Sequence, residues 1–321
     1  MIDFILYKKE ISEFLINFLG DKKIDLKDST FSQDVLERIM PLATGGKMWR
    51  GSLLINTYEQ LSGQKYSPEV LEAAAALELV GTALLIHDDI IDQDELRRGQ
   101  ETLHFQYQQL SHSQKFGESM AICAGDLIFL MAFGLLSGEL NSVFSQQLSR
   151  TILGEMQDVD FATKTEITQD EIFQLYVDKT ASYTVSLPLM AGTVLADQNQ
   201  ELILQLKLLG QTLGLIFQIK DDGLGLFGDK QQTGKPVGAD IREGKKTLYY
   251  YYLEQVAPNA FIDKNVTEIL ELMKTHQIER QVNKDLAELA VKAKQQIKNL
   301  DSEKLKPMLL EFLEVNLRRE K

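Results

Sequence analysis

The chain has 321 residues, 44% of them hydrophobic and 25% charged, the balance of a globular protein with a sizeable core. Its 34 basic and 47 acidic residues leave a net charge of −13, which excludes nucleic acid as the main partner but not a polyanionic ligand bridged by divalent metal. A single cysteine, Cys123, excludes an intramolecular disulfide and fits a reducing cytoplasm; its neighbours Ile122 and Ala124 predict a small buried apolar residue.

Charges at Asp3, Lys8, Lys9 and Glu10 come too early for a signal peptide. No uncharged apolar run approaches the ~18–20 residues that span a bilayer, so a cytoplasmic protein without a transmembrane segment is expected. Apolar positions recur at helical spacing and alternating runs are nearly absent, which predicts an all-α chain. Residues 3–19 and 31–42 read as amphipathic helices. Thr44-Gly45-Gly46 is a turn, and a helix from Lys47 runs to about Ser62-Gly63. Lys47 and Arg50 then stand at i and i+3 on its first turn, where free N–H groups add anion affinity. An ordinary surface Lys/Arg pair explains that pattern equally well.

Ser67-Pro68-Glu69 is a capped helix start. Its helix continues through an apolar run, Leu77 to Ile86, into His87-Asp88-Asp89-Ile90-Ile91-Asp92, followed by Arg97-Arg98-Gly99. Asp88 and Asp92, at i and i+4, share one face. Carboxylates so close to a core need a partner; this pair suits Mg²⁺, and the arginine forks suit phosphate oxygens. His87 points off the shared face and reads as a packing residue or a support for the metal ligands rather than a ligand itself. The polar stretch 99–116, with His104 and His112, is loop and short helix; 117–137 and 141–161 are apolar helices. Thr168-Gln169-Asp170-Glu171 is a capping box opening a helix that carries Lys179-Thr180. Residues 198–224 form another long apolar helix, ending in Phe217-Gln218-Ile219-Lys220-Asp221-Asp222. A loop from Gly228 to Lys246, with Gly234-Lys235 and Gly244-Lys245, suits closure over phosphates, and three more helices complete the chain. No Pro-, Ser- or Gly-rich linker interrupts it, so residues 1–321 read as a single all-α domain. Nucleophile–base pairs, zinc spacings and Walker loops are missing, which leaves metal and cations acting on a diphosphate beside an apolar cavity.

In this order, and over nearly the whole chain, these landmarks resemble the trans-isoprenyl diphosphate synthases (polyprenyl synthetases), geranylgeranyl diphosphate synthases among them. The resemblance implies a homodimeric isoprenoid-synthase bundle of about ten or more helices around a central cavity. It implies a prenyltransferase of EC 2.5.1 type that joins isopentenyl diphosphate to an allylic diphosphate (dimethylallyl, geranyl or farnesyl). Asp88, Asp92, Asp221 and Asp222 correspond to ligands of Mg²⁺, about three ions per site. Arg97, Lys179, Thr180, Gln218, Lys235 and Lys245 correspond to the allylic diphosphate site and, with Asp88, Asp92 and Asp221, to the catalytic set. Lys47, Arg50 and Arg98 correspond to the isopentenyl diphosphate site.

Two positions depart from the family pattern: Gly225 replaces the last aspartate of the second acidic motif, and Gly81 stands where His or Gln often binds isopentenyl diphosphate. Short-chain members block the cavity with an aromatic residue just before the first aspartate. Ala83 and Leu84 here, with Val80 below, leave it open, so a product of about C20 or longer is expected. A terpene cyclase of the same fold is the nearest rival, but it has no use for Lys47, Arg50 and Arg97-Arg98. A non-catalytic subunit of a heteromeric synthase would lose the acidic motifs.

Overall fold

The computed structural model describes residues 5–97, 99–164, 166–228 and 238–319. Arg98 and the Gly234-Lys235 pair lie outside the described residues. The all-α expectation holds. The helices are α1 (Lys8–Asp25), α2 (Thr30–Thr44), α3 (Trp49–Ser62), α4 (Pro68–Ile91), α5 (Leu103–Ser111), α6 (Gln114–Phe133), α7 (Gly138–Phe161), α8 (Gln169–Tyr176), a π-helical segment Val177–Ser186, α9 (Leu187–Leu195) and α10 (Gln200–Phe227). The short helix Ala239–Arg242 follows. The tail then carries five helices, Leu248–Val256, Ala260–Asp263, Val266–Thr275, Ile278–Lys298 and Lys306–Leu317, where three were expected. The only strands among the described residues are Leu96–Arg97 and Gln100–Glu101, a two-residue antiparallel pair folding back after the first acidic cluster.

Local sequence explains the helix starts. Ser67 accepts the Val70 N–H with Pro68 in the first turn, Asn199 accepts that of Leu202, and the capping box at Thr168 and Glu171 forms in both directions.

By packing, the chain divides into two compact units: Met1–Ser142 with Ala191–Gln198, and Val143–Met190 with Asn199–Lys321. In the first unit α4 is the central rod, contacted by α1, α2, α3 and α6. Its run Ala73–Leu77 is wholly buried, and small side chains let neighbouring helices approach. A Cβ on Gly51 of α3 would fall 3.0 Å from the Ala74 carbonyl oxygen, and one on Gly125 of α6 2.3 Å from the His87 ring. His87 therefore packs between helices, as expected. Cys123 differs: it is exposed, because Ala121, Ala124, Gly125 and Ile128 form the inward stripe of α6 and turn Ile122 and Cys123 outward.

In the second unit α10 lies against the π-helical segment and the helix Ile278–Lys298. Gly210 and Gly214 make the first of these contacts possible, since their Cβ atoms would come within 2.6 Å of Ser186 and 2.3 Å of Ala181. Contrary to the sequence expectation, α4, α6 and α10 are each long and apolar enough to cross a membrane by length and composition. Within the fold, 72% of the apolar window of α4 and 61% of that of α10 are buried, against 39% for α6.

Candidate active site

In the first unit the acidic cluster closes α4. Asp92 is its C-cap, with its N–H bonded to the Asp88 carbonyl at 2.8 Å, so the i, i+4 relation of the two aspartates is preserved. Arg97, on the strand that follows, turns back onto this end. Its guanidinium bonds Asp88 at 2.8 Å, makes a short contact to Asp89 and lies 3.6 Å from Asp94. Burial alone would lower the Arg97 pKa, but Asp89 and Asp88 outweigh it and hold the cation firmly. Asp89 is 4% exposed, and burial raises its pKa to about 6 against the pull of Arg97. Arg97, expected at a substrate diphosphate, thus also serves as counter-ion to the aspartates.

The Lys47/Arg50 pair differs from its expected arrangement. The helix begins at Trp49, Met48 sits in the left-handed region (φ 54°), and Lys47 precedes it as an exposed residue, so the two cations do not share a helical face. The Gly45-Gly46 turn and Met48 break the helix before Lys47 can join it. Gly81 lies beneath Arg50, whose Nη1 is 3.8 Å from the position of the missing Cβ. Upstream on the same helix, Val80 and Ala83 are fully buried and Leu84 partly so.

The second unit carries the other predicted residues. Lys179 and Thr180 sit in the π-helical segment, a geometry that concentrates at functional sites. Lys179 Nζ meets Glu155 at 2.9 Å and Asp158 at 2.6 Å, both on α7, while Arg150 holds the adjacent Asp178 at 3.1 Å. Gly154 lets the two backbones approach this closely, because a Cβ there would stand 2.3 Å from the Lys179 backbone nitrogen. Sequence reasoning missed Glu155 and Asp158, though their i, i+3 spacing on α7 was visible.

At the end of α10 the two aspartates have different surroundings. The Asp221 side chain is 50% exposed and pairs with Arg319 at 2.9 Å, whose guanidinium stacks 4.3 Å above Phe217. Asp222 is 5% exposed; it accepts a short bond from the Tyr176 hydroxyl and one of 2.7 Å from Gln218 Nε2. Such burial does not suit the metal role expected of Asp222. Tyr176 in turn accepts the Leu248 N–H at 3.0 Å. Lys245 pairs with Glu243 at 2.9 Å.

Every expected metal ligand is a carboxylate, a hard oxygen donor. No group of three potential ligands converges among the described residues. The donor set fits Mg²⁺ nonetheless, because that ion takes one or two carboxylates, several waters and substrate phosphates rather than a protein cage.

Residues 33–289 match the family model for polyprenyl synthetase. The chain is 35% identical over 254 residues to the short chain isoprenyl diphosphate synthase of Methanocaldococcus jannaschii, covering 73% of this chain and 74% of that one. It is also 35% identical over 215 residues to the geranylgeranyl diphosphate synthase of Saccharolobus solfataricus, covering 64% and 61%. Among solved structures, the geranylgeranyl pyrophosphate synthase of Corynebacterium glutamicum, complexed with isoprenyl diphosphate and magnesium, superposes with a TM-score of 0.89 at 26% identity, covering 99% of this chain and 100% of that one.

Proposed function

The chain belongs to the polyprenyl synthetase family, and on that premise we propose that it is a Mg²⁺-dependent trans-prenyltransferase. It joins isopentenyl diphosphate to an allylic diphosphate and releases pyrophosphate and an all-trans prenyl diphosphate of about C20 or longer. One observation carries the reading. A single helix, α4, ends in Asp88 and Asp92 under the Arg97 fork and, just upstream, buries the non-aromatic residues Ala83 and Val80. A charged head group and an apolar chain need that sequence of surroundings.

Asp88, Asp92 and Asp221 are the residues assigned to hold Mg²⁺, about three ions by family analogy; when bound, the metal neutralises the allylic diphosphate and makes it a better leaving group. Arg97, Lys179, Lys235 and Lys245 bind the same diphosphate and spread the charge that develops as the allylic C–O bond ionises. Lys47, Arg50 and Arg98 hold isopentenyl diphosphate so that its double bond attacks the allylic cation. The released pyrophosphate then accepts the proton lost from the adduct. Thr180 and Gln218 offer dipoles that stabilise the cation without capturing it. Asp222, buried between Tyr176 and Gln218, is assigned to orienting Gln218.

The outer face of α6 exposes Phe116 and Ile122 and leaves Leu130 at 74% exposure, which supports a homodimer covering that face. Burial of most of the α4 and α10 windows supports a cytoplasmic protein over a membrane-spanning one. Incubation of the pure chain with farnesyl diphosphate, isopentenyl diphosphate and Mg²⁺ tests the function. Pyrophosphate and a longer prenyl diphosphate are expected, and chromatography of the dephosphorylated product fixes its length. No pyrophosphate release, or cyclic hydrocarbon from the allylic diphosphate alone, overturns the reading.

A further inference from the structure

We propose that Glu78 is a positioning residue for isopentenyl diphosphate, acting from α4 through the first turn of α3; the inference rests on the assignment of Lys47 and Arg50 to that substrate. Glu78 interrupts the apolar run of α4 and is 8% exposed, a costly place for a carboxylate without a partner. Its Oε1 accepts the N–H of Gly51 at 2.8 Å, within the first turn of α3. That turn has no local side-chain cap: the N-cap is Met48, which is left-handed and contributes no side-chain hydrogen bond. A helix start needs acceptors for its orphan N–H groups, and its partial positive charge favours an anion. Glu78 supplies both from a different helix.

The sequence around the contact fits this role. Gly51 leaves room for the close approach, since a Cβ there would meet Ile11 Cδ1 at 2.8 Å and the Ala74 carbonyl at 3.0 Å. Gly81 stands three residues after Glu78 on α4, hence on the same face, and lies against Arg50 Nη1. This face of α4 therefore seats the α3 turn at Gly51 and at Arg50. Arg50 immediately precedes the residue that Glu78 binds, and Lys47 lies just outside the turn. A shift of the turn would displace both cations. Glu78 and Asp88 also share one rigid helix, ten residues or about 15 Å apart, so the seat for one substrate is fixed relative to the aspartates assigned to the other.

The test is steady-state kinetics of the full chain with each diphosphate varied in turn, for wild type, Glu78→Gln and Glu78→Ala. Gln retains an oxygen acceptor for Gly51, so its KM for isopentenyl diphosphate should stay within about threefold of wild type. Ala leaves the buried N–H unsatisfied and should raise that KM by about tenfold or more, with the KM for farnesyl diphosphate within about twofold. Should Glu78→Ala fail to fold, Glu78→Asp, one methylene too short to reach, provides the same comparison. A rise in both KM values together, a Gln variant as impaired as Ala, or unchanged KM values in the Ala or Asp variant overturns the proposal while the wild type still turns over. A wild type with no turnover dependent on isopentenyl diphosphate overturns the parent assignment and this one with it.

Discussion

Replacing Tyr176 with Phe separates two roles for Asp222. The hydroxyl donates to the buried Asp222 carboxylate and accepts the Leu248 N–H at 3.0 Å, an orphan donor at the start of the helix Leu248–Val256. Phe keeps the ring, so packing is preserved and the loss is confined to hydrogen bonds. A bond to a charged acceptor contributes about 1.5–3 kcal/mol, and leaving a buried N–H unsatisfied costs about 1–3 kcal/mol. Gln218 Nε2 still bonds Asp222 at 2.7 Å, so we take the lower part of the sum, about 3 kcal/mol. At ~2–4 °C per kcal/mol for a chain somewhat smaller than this one, Tm should fall by roughly 5–10 °C. Thermal melts followed by far-ultraviolet circular dichroism read this directly. A shift of less than about 1 °C would refute the hydrogen-bond assignment. Magnesium titration of the rate gives the second answer. If Asp222 orients Gln218, kcat falls and the Mg²⁺ concentration for half-maximal rate stays within about twofold; a large rise in that concentration would make Asp222 a metal ligand instead.

Asp88→Ala should reduce turnover to background with the helical circular dichroism signal intact, and a variant with full activity would remove Asp88 from the metal site. Ala83→Phe should shorten the product, because Ala83 is wholly buried one turn before the acidic end of α4; an unchanged product distribution would place the end of the chain elsewhere. Burial raises the pKa of Asp89 from 3.8 to about 6, so the folded protein binds the proton more tightly than the unfolded chain. This stabilisation is full below about pH 4 and is lost as pH rises through about 6. In metal-free protein, the stability of wild type relative to Asp89→Asn, read from urea titrations, should therefore fall by up to roughly 3 kcal/mol across that window. A difference that grows with pH would contradict the sign.

Helical class was legible because its period recurs along nearly the whole chain, and the capping box at Thr168 and Glu171 was legible because both halves of its bonding are local. The i, i+4 pairing of Asp88 and Asp92 survived for the same reason. What failed depends on tertiary packing or on single-residue geometry. The outward turn of Cys123 follows from which stripe of α6 faces inward, and composition does not reveal that. Lys47 missed the helix because Met48 adopts a left-handed backbone that no residue preference announces. A π-helical segment shifts the hydrogen-bond register by one residue, below the resolution of a periodicity window. Arg319 pairs with Asp221, and nothing in the sequence links two residues so far apart along the chain. Glu78, like Glu155 and Asp158, carries a visible signal: it is a lone carboxylate inside an alanine- and leucine-rich run.

The Arg97 fork also gives the first acidic cluster a thermodynamic property. In the free protein Arg97 bonds both Asp88 and Asp89. If Mg²⁺ binds Asp88 and a diphosphate binds Arg97, as proposed, either ligand alone would weaken one half of a sheltered ion pair. Both together would re-pair carboxylate with metal and guanidinium with phosphate. Metal and diphosphate affinities would then be linked reciprocally, each tightening the other by the same factor. On that assignment the fork would favour capture of the metal–diphosphate complex as one unit over stepwise loading.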